Sequence, residues 1–439
     1  MTLPEEHLER YVYHFTHINN IPELLVSGLL SNSQLEKHNL DVTSIAEPDI
    51  QARRAAMAVT CGPCGVVHDY VPFYFSTRSP MLLGVVNKRN VDQFDIIYLE
   101  YKLSTLIKNG FVFTDSSANA SQAPNFYSDL NKLSILDWNL IDSLSWGTPN
   151  GRRQEKMAEF LVHGNVSIYD AENIVVWNER IKKVMLQYIK GSNVNAPTIS
   201  FENDNRRHYF TNFMHGGQSS CTYGPKETAG IYSQTYKNIS ERDANNIGGF
   251  ANIDAILVSL REDLNNISYT KELVGLSSDN GIHKKTVDQH THDVVRNVTK
   301  SSYFSKLNER CKIIVELSAF LHDIGKGPKS RWGDGLQKVD TRHPVLAMHM
   351  LKDLFMKQVI NIDLNEIKIL LKLVCYHDLI GDILGNGRDE VQLIQLVETE
   401  EEVNMLFCLS EADITSLVPI WWDKVKVDAL YKRTIALLS

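Results

Sequence analysis

The hydrophobic period of the chain changes once, and that change limits what the chain can fold into. Up to about residue 211 the apolar residues come in short β-rich runs, "VPFYFS", "DIIYLEY", "FVFTD", "AEFLVH", "NIVVW" and "PTISF", separated by turn signals. From "IDAILVSLREDL" onward nearly every segment has helical spacing, including "HTHDVVRNV", "CKIIVELSAFLHD", "EIKILLKLVCYHD" and "EVNMLFCLSEAD". Residues 212–250 are rich in Gly, Ser, Thr and Asn without sustained apolar periodicity, and read as a linker. The expected fold class is therefore α+β, with an α+β domain over 1–211, the linker, and an all-α domain over 251–439. A length of 439 residues agrees, since domains usually hold roughly 100 to 200 residues.

Composition narrows the function classes. Hydrophobic content of 43% and charged content of 22% are ordinary for a soluble globular protein. No stretch approaches the roughly 20 apolar residues of a bilayer span. The opening "MTLPEEHLER" is acidic where a secretory signal would be basic and then apolar, so a cytoplasmic protein with no membrane partner is expected. Six cysteines at irregular positions do not form a disulfide framework. Cys61 and Cys64 in "TCGPCG" match a C-x-x-C pattern, but lack a second pair for zinc and a clear strand-then-helix for redox work, and read as incidental thiols in a loop. The net charge of −8 argues against holding nucleic acid by a broad basic surface. Any such contact must be local, with Arg53-Arg54, Lys88-Arg89 and Arg152-Arg153 as candidate spots.

In the helical half, polar residues recur on apolar stripes. Val287, His290, Val294 and Val298 share one face at three-and-four spacing, whereas His292 sits about 200° away, in solvent. Ile314, Leu317 and Leu321 lead to His322 and Asp323, after which Gly325, Gly327 and Pro328 stop the helix. Three more helices carry Leu370, Val374 and His377; Leu406, Leu409 and Asp413; and His343 with Ala347, Met350 and Leu354. A lone histidine on such a stripe is usually a satisfied core residue. Five helices aiming imidazole or carboxylate inward are better explained by a divalent metal, because each buried polar group needs a partner and a mixed His/Asp set offers neutral nitrogens with charge-neutralising oxygens.

These residues resemble the HD metal-dependent phosphohydrolases over about 251–439: a first histidine, His290 in "HTHDVV"; the doublet His322-Asp323 in "HDIGKG"; and a late aspartate, Asp413 in "SEADI". His343 and His377 stand where two-metal members place further histidines. The resemblance implies one or two divalent ions (Mn, Fe, Ni, Co or Mg) on His290, His322, Asp323, His343, His377 and Asp413, with Asp323 bridging. It also implies that Lys326 steadies a phosphate or the attacking water. Two such ions can activate water and clamp a phosphate ester. The segment leading into His290 looks like that of CCA-adding enzymes, which makes a nucleotide or RNA-end phosphate the expected substrate. An HD domain that keeps its site but serves regulation or assembly is the plainer reading.

The first half has neither G-x-G-x-x-G nor G-x-x-x-x-G-K-[ST]. It offers six dispersed segments: "YVYHFTHINNIPELLVSGLL", "DIQARRA", "HDYVPFYFSTRSPML", "FVFTD", "LDWNLID" and "RRQEKMAEFLVH". In that order they resemble the DarT family of DNA ADP-ribosyltransferases, toxins of toxin–antitoxin or phage-defence type. The resemblance covers about 1–211. It implies a split-sheet transferase fold, NAD as co-substrate, single-stranded DNA as acceptor and a possible antitoxin partner. It implies His14, Phe15 and Thr16 as the NAD-contacting strand, Arg54 as the essential arginine and Glu159 as the catalytic glutamate. Breaking the ribose–nicotinamide bond builds positive charge on the sugar, which a carboxylate at the 2-hydroxyl stabilises. Arg54 would orient the donor and favour the deprotonated acceptor base, with Arg53 as the adjacent alternative.

Phe126, Tyr127 and Trp138 could stack on a splayed base or belong to the core. Relatives commonly carry glutamine two residues before the glutamate; Met157 stands there, which leaves thymine or guanine open as the acceptor. The competing expectation for the whole chain is a nucleotide phosphohydrolase whose first half only senses NAD or DNA. A DNA-binding scaffold with two degenerate sites is a third.

Overall fold

A computed structural model describes residues 2–119, 123–145, 151–190, 197–201, 207–211, 220–243, 247–278 and 285–438. The chain divides into two compact units, Met1–Asn87 with Val91–Cys221, and Lys88–Asn90 with Thr222–Ser439. Of the 212–250 segment, residues 212–219 and 244–246 lie outside the described residues.

The first unit is built on eight strands, β1 Tyr11–His17, β2 Tyr70–Tyr74, β3 Ile96–Lys102, β4 Phe111–Thr114, β5 Phe126–Tyr127, β6 Glu159–His163, β7 Asn173–Val175 and β8 Thr198–Ser200. They lie in the order β8-β7-β3-β1-β2-β6-β4-β5, antiparallel except for β7 with β8. β1 pairs with β3 along its length, from Tyr11 opposite Lys102 to His17 opposite Ile96. Its pairing with β2 is reduced to Tyr13 opposite Tyr74. The sheet is thus two four-stranded halves that part beyond one paired position. Pro72 contributes to the parting, since it has no N–H to give a ladder. In place of a rung, the His14 ring donates from Nδ1 to the Pro72 carbonyl at 2.8 Å. Around the sheet, Val12, Val71, Phe73, Phe75, Leu99 and Phe160 are among the buried core side chains. Helix α1, Pro48–Ala56, carries the "DIQARRA" segment.

The described part of the second unit is predominantly helical. Its helices include α2 Pro225–Ser240, α3 Val287–Val298, α4 Glu309–Leu321, α5 His343–Lys357, α6 Leu364–Cys375 and α7 Glu400–Leu417. The last five are the helices expected from periodicity. Start signals fix them: Thr286 and Gln289 form a capping box on α3, and Asn308, Asp363 and Thr399 cap α4, α6 and α7 through their side chains. His290 is buried and His292 exposed, as the helical wheel requires.

Helix α2 corrects the expectation that 212–250 is a bare connection. Its buried face is Thr228, Thr235 and Ile239, with Ile231, Tyr232 and Tyr236 partly buried against the core. Threonine and tyrosine fill positions where a count of aliphatic residues finds no stripe. Tyr232 packs edge-on against Tyr376 at 6.1 Å, and its hydroxyl donates to the Lys368 carbonyl.

The turn after α4 depends on a glycine. A Cβ at Gly325 would stand 1.9 Å from the His343 carbonyl oxygen and 2.7 Å from the Ala347 nitrogen. Only glycine lets the "HDIGKG" turn press onto the first turn of α5. No described helix is long and apolar enough to cross a membrane.

Candidate functional site

A cavity of about 770 Å³ is lined by residues from both strands at the parting of the sheet. β1 supplies His14, Phe15 and Thr16, α1 supplies Gln51 and Arg54, and Tyr74 ends β2. Phe15 stacks on Tyr74 with centroids 5.6 Å apart. Because Nδ1 of His14 is spent on Pro72, the ring keeps its Nε2 lone pair, and burial holds the imidazole below its ordinary pKa. The loop carrying Thr43 is latched to β1 through Asn20. The Asn20 amide donates to Thr16 Oγ1 at 2.9 Å and to the Thr43 carbonyl at 3.0 Å, and accepts from the Thr43 N–H at 2.8 Å.

Glu159, the first residue of β6, is fully buried behind this cavity. Arg54 Nη1 donates to both its oxygens, at 3.1 Å (Oε1) and 2.9 Å (Oε2), and the Ala118 N–H donates to Oε1 at 2.8 Å. Its backbone N–H is held by Thr114 Oγ1 at 3.0 Å. Arg54 lines the cavity and Glu159 does not, so the guanidinium, with a side chain 8% exposed, stands between the open space and the carboxylate. Tyr74, opposite Glu159 in the ladder, is kept a neutral phenol by burial and by that carboxylate.

The neighbouring arginine has another job: Arg53 donates to the Asn119 carbonyl at 3.2 Å. The candidate stacking aromatics are engaged in packing. Arg10 lies 3.8 Å over the Trp138 ring, His7 and Phe75 pack on it, and its indole N–H donates to Leu133. Tyr127 stacks on Phe113, and Phe126 packs against a small cluster around Val112 and Leu161. Met157 is buried. Arg152 is taken up by Asp137 and Glu155. Cys61 and Cys64 share a turn and belong to no candidate metal group among the described residues.

The second unit brings all six expected ligands together with Lys326. His290 Nε2 lies 3.3 Å from His322 Nε2, 3.4 Å from Asp323 Oδ2 and 3.0 Å from Asp413 Oδ1. His343 Nε2 lies 3.0 Å from His377 Nε2 and 3.2 Å from Asp323 Oδ1. The two oxygens of Asp323 thus face two different histidine pairs. Lys326 Nζ donates to Asp323 Oδ2 at 2.6 Å.

The outer nitrogens decide what this arrangement requires. Nδ1 of His322, His343 and His377 donates to the carbonyls of Ala319, Asp340 and Val374. Nδ1 of His290 meets Ser416 Oγ, whose own proton goes to the Asp413 carbonyl. Each neutral ring therefore turns an Nε2 lone pair toward the centre, and two lone pairs about 3 Å apart repel unless a proton or a cation stands between them. Burial opposes a charge on His322, yet Asp323 and Asp413 lift its pKa to about 9. Burial likewise opposes ionised Asp323, but His322 and Lys326 hold it well below the carboxylate range. Among the described residues, Asp323 Oδ1 is buried without a hydrogen bond, His343 Nε2 standing 3.2 Å from it. Imidazole nitrogens with fixed outer hydrogen bonds, plus carboxylates short of cations, are a donor set that fits a divalent transition metal.

Sequence reasoning passed over several residues at these sites. Gln51, one turn before Arg54, and His68, in the quoted "HDYVPF", share a network in which the Asn32 amide donates to Gln51 Oε1 at 2.6 Å and His68 Nε2 lies 3.0 Å from the same oxygen. Asp378, directly after His377, and Ser416, three residues after Asp413, adjoin the His/Asp cluster.

Residues 13–210 match the family described as DarT, ssDNA thymidine ADP-ribosyltransferase. A DNA ADP-ribosyl transferase of Thermus sp. (strain 2.9) is 37% identical over 187 residues, 41% of this chain and 87% of that protein. One from Thermus aquaticus is 40% identical over 157 residues, 34% of this chain and 68% of its own length. Among solved structures, Thermus sp. 2.9 DarT in complex with ADP-ribosylated ssDNA has 32% identity, covers 48% of this chain and 99% of its own, and superposes with a TM-score of 0.43.

Proposed function

Through its first unit the chain belongs to the DarT family, and we propose that this unit transfers ADP-ribose from NAD to a base of single-stranded DNA. The observation that carries the reading is the buried Arg54–Glu159 pair at the back of a cavity walled by His14, Phe15 and Thr16. Among the described residues Glu159 Oε2 accepts from Arg54 alone, whereas Oε1 also serves Ala118, so Oε2 is the oxygen to receive a ribose 2-hydroxyl. Arg54 must first turn toward the cavity, and the pyrophosphate of NAD is an anion that draws it there. The C1′–nicotinamide nitrogen bond then breaks, nicotinamide leaving with the electron pair. The sugar cation forms against an anionic Glu159, and the base nitrogen closes the new C1′–N bond as its proton is lost.

In the second unit the reading is an HD-type phosphohydrolase site, holding divalent ions on His290, His322, Asp323, His343, His377 and Asp413, that hydrolyses a phosphate ester or regulates the transferase. Bound ions would supply an activated hydroxide and a clamp for phosphate oxygens. The chain's own contributions are ring orientation through the outer histidine bonds and Lys326, which braces Asp323 and stands ready for a substrate anion.

The test is incubation of the protein with labelled NAD and single-stranded oligonucleotides, with mass spectrometry of the DNA. Label that disappears in Glu159→Gln supports the transferase. Unlabelled DNA with metal-dependent phosphate release would leave the first unit as a sensor. Growth arrest compared between the wild type and a His322→Ala, Asp323→Ala chain reads the second unit's role, and equal toxicity disposes of an antidote function.

A further inference from the structure

Asp378 sits where a helix start would use it, yet it does not serve the helix. It occupies the N-cap of the helix Leu379–Gly385, a position where aspartate normally accepts from the second or third backbone N–H, but it makes no side-chain cap bond. Its Oδ1 lies 3.4 Å from His377 Nε2 instead, and its carboxylate groups with His377 and Asp413 as possible metal donors. Oδ2 is 3.7 Å from Arg89, too far for a hydrogen bond, while Arg89 comes closer to Asp382, at 3.3 Å.

Donor spacing says which ion Asp378 would serve. Donors bound at about 2.1 Å with angles of about 90–110° lie roughly 3.0–3.4 Å from one another. His290, His322, Asp323 Oδ2 and Asp413 Oδ1 meet that condition around His290, with separations of 3.0 to 3.4 Å. On the other side, His343 is 3.0 Å from His377 and 3.2 Å from Asp323 Oδ1. The 3.4 Å contact of Asp378 Oδ1 with His377 extends this second set by one oxygen. A third ion on His377, Asp378 and Asp413 is chemically barred, because the His377 Nδ1 proton is committed to Val374 and the single Nε2 lone pair can serve one ion only.

We propose that Asp378 is the fourth protein ligand of the ion held by His343 and His377, so that each of two ions has two imidazoles, one oxygen of Asp323 and one terminal aspartate. This rests on the metal reading of the second unit. The test titrates metal-free full-length protein with Mn²⁺, counting ions by calorimetry and reading spin coupling by electron paramagnetic resonance. Wild type should bind two coupled ions. Asp378→Ala should keep the first and weaken the second by about 1,000-fold or more, beyond the roughly 10- to 100-fold that loss of a peripheral partner can cost. Asp378→Asn, nearly isosteric, should fall between them, and it covers the case in which the alanine chain does not fold. Two ions bound with wild-type affinity in both variants would overturn the inference alone. So would a single ion in the wild type, or loss of both ions from a variant with a wild-type melting curve. No Mn²⁺ binding by the wild type would instead bring down the metal reading itself.

Discussion

Neutralising Glu159 should separate stability from chemistry in a way the buried pair makes calculable. In Glu159→Ala, Arg54 keeps a guanidinium that is 8% exposed and loses its anion. Breaking a buried pair from one side costs about 3–5 kcal/mol. Arg54→Ala strands the fully buried carboxylate, which among the described residues then accepts from the Ala118 N–H alone, and should cost a similar amount. In a unit of roughly 200 residues each kcal/mol lowers the melting temperature by about 2–4 °C, so each single variant should melt about 6–20 °C lower. The double variant leaves neither charge alone and should cost at least about 2 kcal/mol less than the sum. Glu159→Gln keeps one oxygen, which at the Oε1 position can accept from both the Ala118 N–H and Arg54 Nη1, and puts an NH2 in place of Oε2, so it should lose only about 1–3 kcal/mol and stay folded. Its transfer of label from NAD to oligonucleotide should nevertheless fall by about 10²–10³-fold or more, because the developing sugar cation has lost its counter-charge. Calorimetry of the four proteins and single-turnover labelling with Glu159→Gln are the assays. Additive costs in the cycle, or a folded Glu159→Gln that labels DNA at the wild-type rate, would refute the reasoning.

Other outcomes follow from single contacts. Ser416→Ala should weaken the ion on His290 by about 10-fold in Mn²⁺ titration, with recovery in Ser416→Thr, since the hydroxyl takes the Nδ1 proton and so turns the Nε2 lone pair inward. Gly325→Ala should cost about 3 kcal/mol or more and disorder the His322–His343 region in NMR spectra, because the added methyl meets a backbone carbonyl. Asn20→Ala should raise the KM for NAD by about tenfold with a smaller change in kcat, the latch between Thr16 and Thr43 being lost. His14 should titrate below 6.5 by NMR. Its folded pKa is depressed, so below about pH 6.5 the unfolded chain takes the proton first, and the first unit loses stability as pH falls.

The parts of this molecule that sequence revealed are those where neighbours along the chain report on the third dimension. Short β-rich runs mark six of the eight strands of the larger sheet; Tyr11–His17 is marked only by the family resemblance, and the two-residue Phe126–Tyr127 edge is too short to show a period. Three-and-four spacing gave α3 to α7 and put His290 inward and His292 outward. Helix α2 escaped because its buried stripe is Thr228, Thr235 and two tyrosines around Ile239, residues that bury area without counting as apolar. The roles of Arg53 and Arg54 could not be separated in one dimension. Adjacent helical residues point about 100° apart, and only the packed sheet says that Glu159 lies on the side Arg54 faces. Asp378 was hidden by rank: beside a histidine at a helix end it reads as a cap, and what removes it from that role is an absent bond.

Charge balance links the two sites to opposite kinds of substrate. In the first unit one buried carboxylate faces one guanidinium, and the pair is close to neutral while Arg54 stays on Glu159. If NAD phosphates draw Arg54 away, what remains against the sugar is an anion, the sign that a ring turning cationic requires. In the second unit Asp323, Asp378 and Asp413 stand around the imidazoles, with Lys326 on Asp323 and Arg89 shared between Asp378 and Asp382; with the rings neutral, as metal ligation requires, the three carboxylates exceed the Lys326 charge by two. One divalent ion would bring that to neutrality and a second would leave an excess of positive charge, the sign that recruits a phosphate ester. On the functions proposed, the same move, burying a carboxylate where water cannot compensate it, would make a site for a transient cation where the counter-ion is a mobile side chain, and a site for an anion where metal ions take that place.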